Sequence, residues 1–336
     1  MTVFATATGV GSWPGISPRH AAAVIVGELP RLPYLPELPA RGVGADLIGR
    51  SGALLVDIAI DTVPRGYRIA RRPGSVTRRA VSLLGEDVDA FEEAWENAGG
   101  PQDGRAIKVQ APGPVTLAAQ LELGNGHRAI TDPGALRDLA ASLAEGVAIH
   151  RDELARRMSA PVVVQFDEPL LPAALAGRLT GVTALTPVHP VDETRVIGLL
   201  DDCAARIGGQ VLVHSCAADL PWNVLRRSRI GAVSVDFHTV GAQGIDGLAE
   251  FIDSGRSVIL GLVPGITPEH PIGFTDLARD AAAITDRLGF PRAVLGERVG
   301  ISPVCGLAGA TGAWAREATD LACRAAAAIA EDPEAV

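Results

Sequence analysis

The chain has 336 residues, 47% hydrophobic and 21% charged, which is enough apolar material for a large soluble core. Its net charge of −9 argues against nucleic acid as the main partner. No apolar stretch approaches the ~20 residues that a membrane span requires.

In chain order, eight short apolar runs end in small or chemically active residues. Phe4 to Val10 leads to Gly11-Ser12-Trp13-Pro14, and Ala106 to Val109 leads to Ala111-Pro112-Gly113-Pro114. Pro161 to Phe166 leads to Asp167-Glu168-Pro169, and Val182 to Val188 leads to His189-Pro190. Val211 to Val213 leads to His214-Ser215-Cys216, and Ala232 to Val235 leads to Asp236. Val258 to Leu262 leads to Val263-Pro264-Gly265, and Val299 to Ser302 leads to Cys305-Gly306. Each run has strand length, and helical periodicity fills the segments between. Glu193 to Ile207 places Val196, Leu199, Leu200, Cys203 and Ile207 on one helical face. An Ala-rich helix is predicted from about Gly312 to Glu331.

Alternating strands and helices with near-continuous apolar strands predict a parallel sheet. Eight such units predict an α/β fold: a single (β/α)8 TIM-type barrel over residues 1–336. Residues 41–99 fit the repeat poorly and are expected to form a helical insertion after the first strand. In that insertion Asp46 to Thr62 reads as one helix, although Ala53 to Ile60 also has strand character, and Glu86 to Glu96 forms an acidic helix. The tail, residues 331–336, is expected to fray.

The four cysteines, Cys203, Cys216, Cys305 and Cys323, are too sparse for a disulfide framework. Met1-Thr2-Val3-Phe4-Ala5 has no basic leader before an apolar core, so a cytoplasmic, reducing setting is expected. Cys203 and Cys323 read as packing residues.

In a barrel, chemistry sits where the strands end at their C-terminal face. His214 and Cys216, two residues apart on a strand, point to one side. With Cys305 they form a candidate metal site, and zinc suits imidazole and thiolate donors. Asp236, at the end of the next strand, is the best remaining oxygen ligand, with His238 as the alternate. A lone His-x-Cys is a weak signal, and two buried side chains near a strand end would look the same. Asp167-Glu168-Pro169 also fits a helix start, with carboxylates at the N-terminus. Lys108 and Gln110 read either as ordinary strand-end polar residues or as contacts to a second substrate.

Taken in order, Gly9-Val10-Gly11-Ser12-Trp13-Pro14, Gly113-Pro114-Val115-Thr116, Gln165-Phe166-Asp167-Glu168-Pro169, Val213-His214-Ser215-Cys216 and Ser302-Pro303-Val304-Cys305-Gly306-Leu307 span nearly the whole chain. In these stretches the chain resembles the catalytic barrel of cobalamin-independent methionine synthase, within the uroporphyrinogen-decarboxylase-like superfamily. The resemblance implies zinc held by His214, Cys216, Cys305 and Asp236, the last standing where the family has Glu. It implies that Gly11, Ser12, Asp167 and Glu168 bind the amino-acid substrate. The family's Gly-Val-x-Asp-x-His motif appears here as Gly261-Leu262-Val263-Pro264-Gly265-Ile266. That leaves His270 as the substitute for a histidine assisting proton transfer.

The implied activity is a zinc-dependent S-methyltransferase that makes methionine from homocysteine. The implied donor is methyltetrahydrofolate or a methylated corrinoid protein. Alternatives are a corrinoid-linked methyltransferase acting on another small thiol and a non-catalytic zinc- or homocysteine-binding homologue. Neither nucleic acid nor membrane is an expected partner.

Overall fold

The structure is a computed structural model that describes residues 2–181 and 186–336. Among the described residues, six strands form a parallel sheet. A short helix α1 (Pro18–Glu28) begins where the Ser17 side chain accepts the His20 N–H, with Pro18 in the first turn. Helix α2 (Leu47–Ser51) precedes a hairpin of β1 (Ala59–Val63) and β2 (Gly66–Ala70), and the long helix α3 (Ser75–Asn97) follows. Then come β3 (Ile107–Pro112), α4 (Pro114–Gln120), the two-residue β4 (Leu121–Glu122), α5 (Pro133–Met158), β5 (Val162–Asp167) and α6 (Leu171–Leu175). The remaining order is α7 (Glu193–Ile207), β6 (Val211–Ser215), α8 (Trp222–Arg227), β7 (Ala232–Asp236), α9 (Ala242–Asp253), β8 (Ser257–Val263), α10 (Phe274–Arg287), α11 (Ala293–Arg298), β9 (Val299–Pro303) and α12 (Gly312–Glu331).

The sheet order is β3-β5-β6-β7-β8-β9. Every residue of β3, β5, β6, β8 and β9 is buried, as expected for a parallel sheet covered by helices. Two irregular extended segments meet its edges. Thr8 N–H donates to Ile301 O and Ile301 N–H to Thr6 O, which ties residues 6–8 to β9. Lys108 N–H donates to Pro33 O and Leu35 N–H to Lys108 O, which ties residues 33–35 to β3. The two segments also touch each other, through Trp13 N–H to Glu37 O and Glu37 N–H to Gly11 O.

Six of the eight expected strands are therefore present in the sheet. Phe4 to Val10 lies at the expected place, but it makes a single bridge, Ala7 with Ile301, rather than a regular ladder. Of the expected Val182 to Val188 strand, residues 182–185 lie outside the described residues, and 186–188 are not in a strand. A segment that lacked a strand signal, Pro33-Tyr34-Leu35-Pro36-Glu37, pairs with β3 instead. Its two prolines have no N–H to donate, so it reads as a turn in sequence and cannot build a full ladder.

The insertion is mixed, not wholly helical. The Asp46 side chain accepts the Ile48 and Gly49 N–H groups and starts α2, which lasts five residues. The chain then turns into the antiparallel hairpin, where Gly66 sits at φ +135°, a conformation open to glycine. Of Ala53 to Ile60, only Ala59 and Ile60 enter a strand, at the start of β1. Helices α7 and α12 have the expected bounds. Beyond α12, Arg292 Nη1 donates to Val336 O.

Two buried charges anchor this frame. Asp87 on α3, wholly buried, accepts from Arg41 Nη2 at 2.6 and 2.7 Å and from Arg50 Nη1 at 2.5 Å. This locks α2 and the segment before it onto α3. Glu168, also wholly buried, accepts the Val115 N–H at 2.9 Å and the Thr116 N–H at 2.8 Å, and the Thr116 hydroxyl donates at 2.7 Å. These groups belong to the first turn of α4, where a carboxylate also meets the positive end of the helix dipole. A side chain at Gly113 would come 2.3 Å from Glu168 Oε1, so glycine is needed for the approach.

Asp87→Ala should lower unfolding free energy by about 3–5 kcal/mol in urea melts, because it strands two guanidinium groups. Glu168→Ala should destabilise by about 1–3 kcal/mol by the same measurement, because it leaves buried α4 donors unmade.

Candidate metal centre

Parallel pairing sets the ends of the strands level with one another. Asp167 at the end of β5 pairs with His214 on β6, and Asp236 at the end of β7 pairs with Gly261 on β8. Cys216 follows β6 by one residue, and Cys305 follows β9 by two.

The donor atoms of His214, Cys216 and Cys305 all lie within 4.8 Å of one another, and they form the one such group among the described residues. His214 is buried, and its Nδ1 lies 3.1 Å from Ser234 Oγ. With that nitrogen bonded to the serine, Nε2 remains, buried and without a partner. An orphaned imidazole nitrogen in the interior carries a desolvation cost unless something binds it. The Cys305 thiol donates to Cys216 Sγ across 3.4 Å. That bond pulls Cys216 down to about 7 and pushes Cys305 up to about 12, so the pair gives up one proton readily and holds the second. A soft divalent cation would take both sulfurs and the free nitrogen as ligands, and zinc fits this donor set. The second contact of the imidazole, to Ser234, is the kind of bond that orients a metal-bound histidine.

Asp236 is not in this group. Its Oδ1 accepts the His238 N–H at 3.0 Å and caps a short 3-10 turn, although its charge is felt at Cys216. His238 is exposed, with Nε2 3.4 Å from Leu262 O. His270 is exposed in the loop after β8 and is not brought to the three donors.

Gly11 and Ser12 lie against the same centre. The Leu307 N–H donates to Ser12 O at 2.8 Å, and a Cβ on Gly306 would meet Ser12 Oγ at 2.0 Å. The Gly-Ser segment therefore packs directly on the Cys305-Gly306 turn. Asp167 is 7% exposed and beside His214 in register. Burial pushes the Asp167 carboxyl up from the usual carboxylate range, opposed by His214, by the Lys108 charge and by a hydrogen bond from Gln165. Glu168 has a different role from its neighbour, since both its oxygens are occupied by α4.

Lys108 is not at a strand end. It is the second residue of β3, far from that strand's C-terminal end, and it is wholly buried and reaches only interior groups, so it offers nothing to a second substrate at the rim. Glu37 was not expected. It is 5% exposed, its Oε1 has no hydrogen-bond partner, and burial pushes it up to about 7. Its charge interacts with Asp167, Arg50 and Lys108, which puts it in the same polar interior. A usable signal did exist for part of this cluster. Lys108 and Gln110 on β3, and Gln165 and Asp167 on β5, repeat at the two-residue period of one strand face within apolar runs.

Comparison with known proteins bears on this centre. A family model described as cobalamin-independent synthase, catalytic domain, matches residues 4–328. No curated protein sequence matches. Among solved structures, a B12-independent methionine synthase from Shewanella sp. W3-18-1, in complex with selenomethionine, superposes with a TM-score of 0.63. It is 13% identical, and the match covers 99% of this chain and 100% of the other. A methyltransferase from Methanosarcina mazei superposes with a TM-score of 0.57 at 15% identity, covering 98% of this chain and 92% of the other. At such identities these two structures show a shared fold. The family match extends over almost all of the sequence: the chain belongs to the cobalamin-independent synthase catalytic-domain family, and with it to the methyltransferases.

Proposed function

We propose that the protein is a zinc-dependent S-methyltransferase that converts homocysteine to methionine. The observation that carries this reading is the buried, partnerless His214 Nε2 facing two thiols within 4.8 Å. Zinc, when bound there, supplies a Lewis acid that favours the thiolate form of a substrate thiol. His214, Cys216 and Cys305 would hold it. Asp236 is the proposed fourth ligand, reached by releasing its cap on His238.

The chain's own groups explain why an amino acid thiol fits. Asp167 and Glu37 offer two buried carboxylates to a substrate ammonium, and such charge-assisted contacts are strong where water is excluded. Gly11 and Ser12 line the same wall beside Cys305. The reaction moves a methyl group from the donor to the homocysteine sulfur, which gives up its proton. His270 is the proposed proton carrier, on a loop whose exposure leaves it free to approach. The methyl donor is methyltetrahydrofolate or a methylated corrinoid protein.

The proposed unit is one catalytic barrel over residues 1–336, with 41–99 inserted. The extended segments at 6–13 and 33–37 serve as its two remaining staves, a closure supported by their backbone bonds to β9, to β3 and to each other. A reducing, cytoplasmic setting suits free thiols at the centre. No helix among the described residues is long and apolar enough to cross a membrane.

Metal analysis of the purified protein should return about one zinc per chain, and Cys216→Ser or Cys305→Ser should abolish stoichiometric binding. Ser234→Ala should weaken zinc about 10–100-fold by chelator competition. Labelled methyl transfer should require homocysteine. Product from another thiol but none from homocysteine would replace the acceptor and keep the chemistry, whereas a metal-free active protein would end the reading.

A further inference from the structure

Lys108 is the only lysine in the chain, and it is wholly buried. A lone ammonium in the interior must satisfy three N–H donors without water. It does so with three oxygens: Gln165 Oε1 at 2.8 Å, Val10 O at 3.0 Å and Gln110 Oε1 at 3.3 Å. The Tyr34 ring adds a face, 5.2 Å from Nζ to its centroid.

An ammonium can only donate, and this decides the direction of everything bonded to it. Gln165 must turn its oxygen toward Lys108. Its amide nitrogen then faces the other way, donating to Val10 O and to Asp167 Oδ1, each at 2.7 Å. Gln110 is held in the same sense, with its nitrogen on Leu35 O. Were Gln165 reversed, its oxygen would face the Asp167 carboxylate, two acceptors in contact. The cation therefore polarises a chain that ends on Asp167 Oδ1. Burial pulls Lys108 down to about 7, and the charges of Asp167 and Glu37 push it back up, so the two buried carboxylates support its ammonium form.

We propose that Lys108 is a positioning residue: through Gln165 it fixes the Asp167 carboxylate in the orientation that receives the substrate ammonium. This rests on the reading of the centre as an amino-acid thiol site. It does not place Lys108 in contact with substrate or metal.

The test is a double-mutant cycle on zinc-loaded protein, with homocysteine and methionine affinities measured by calorimetry. Lys108→Met, Asp167→Asn and the double variant are compared with the parent, together with zinc content, thermal midpoint and a crystal structure of Lys108→Met. Lys108→Met should keep its zinc yet bind amino acid more than about tenfold more weakly, and Lys108→Met should add no further loss to Asp167→Asn. Its structure should show the Gln165 amide turned and the Asp167 carboxylate rotated. Additive losses, or Gln165 and Asp167 unmoved, would overturn the proposal.

If the parent binds no homocysteine, the functional reading fails, and the crystal structure alone decides whether Lys108 positions Asp167. Should Lys108→Met not fold, Gln165→Leu cuts the same link and retains the ammonium. It should reproduce the loss and its lack of additivity with Asp167→Asn, and full binding by Gln165→Leu would refute the idea.

Discussion

The convergence of three soft donors depends on parallel pairing. Strands that run the same way and pair in register end at a common level, so residues far apart in sequence leave the sheet at one face. Cys216 and Cys305 are 89 positions apart and come from strands that are not neighbours, yet their sulfurs are 3.4 Å apart. Two short backbone connections help hold them there. Gly261 pairs with Ser302, and the Leu307 N–H reaches Ser12 O just past Cys305. A slip of one residue in any strand would turn its polar face outward and disperse the centre.

The second organising feature is the charge buried beneath that face. Glu37, Lys108 and Asp167 are each at most 7% exposed, and Arg50 and Asp87 continue the array toward α3. Such groups are costly in a dry interior unless each is bonded, and most are here. Among those without a hydrogen bond are His214 Nε2 and Glu37 Oε1, the latter only in a loose ion pair with Arg50 Nε at 3.7 Å. Both belong to the polar interior at the strand ends, one at the thiols and one among the carboxylates. Unmade bonds of this kind are common where a protein receives something from outside.

Glu168 shows how adjacent carboxylates divide their work. Asp167 ends β5 with its side chain among the polar interior groups, and Glu168, one residue on, has crossed to the start of α4. The same dipeptide thus places one carboxylate among the polar interior groups and secures a helix with the other. Local sequence alone allowed either role for both.

Much of the architecture could be read from the chain. Apolar runs of strand length separated by helical periodicity predicted six strands in place and the bounds of α7 and α12, because burial on both faces demands unbroken Val, Ile and Leu. His214, Cys216 and Cys305 were legible as soft donors at strand ends. The extended segment at residues 33–37 was not, because its two prolines carry turn signals, whereas residues 6–8 fall within the expected first strand but meet β9 through a single bridge. The Asp46 to Thr62 helix was misread because a capped five-residue turn and a hairpin share its composition. Residue types and their periods are local properties, and they determined the strands, the helices and the donor chemistry. Distances between Lys108, Gln165 and Asp167, the meeting of the two thiols, and the arrival of Glu37 beside them were decided only by tertiary structure. Those contacts join separate strands, and neither period nor spacing within one segment records how such segments are brought side by side.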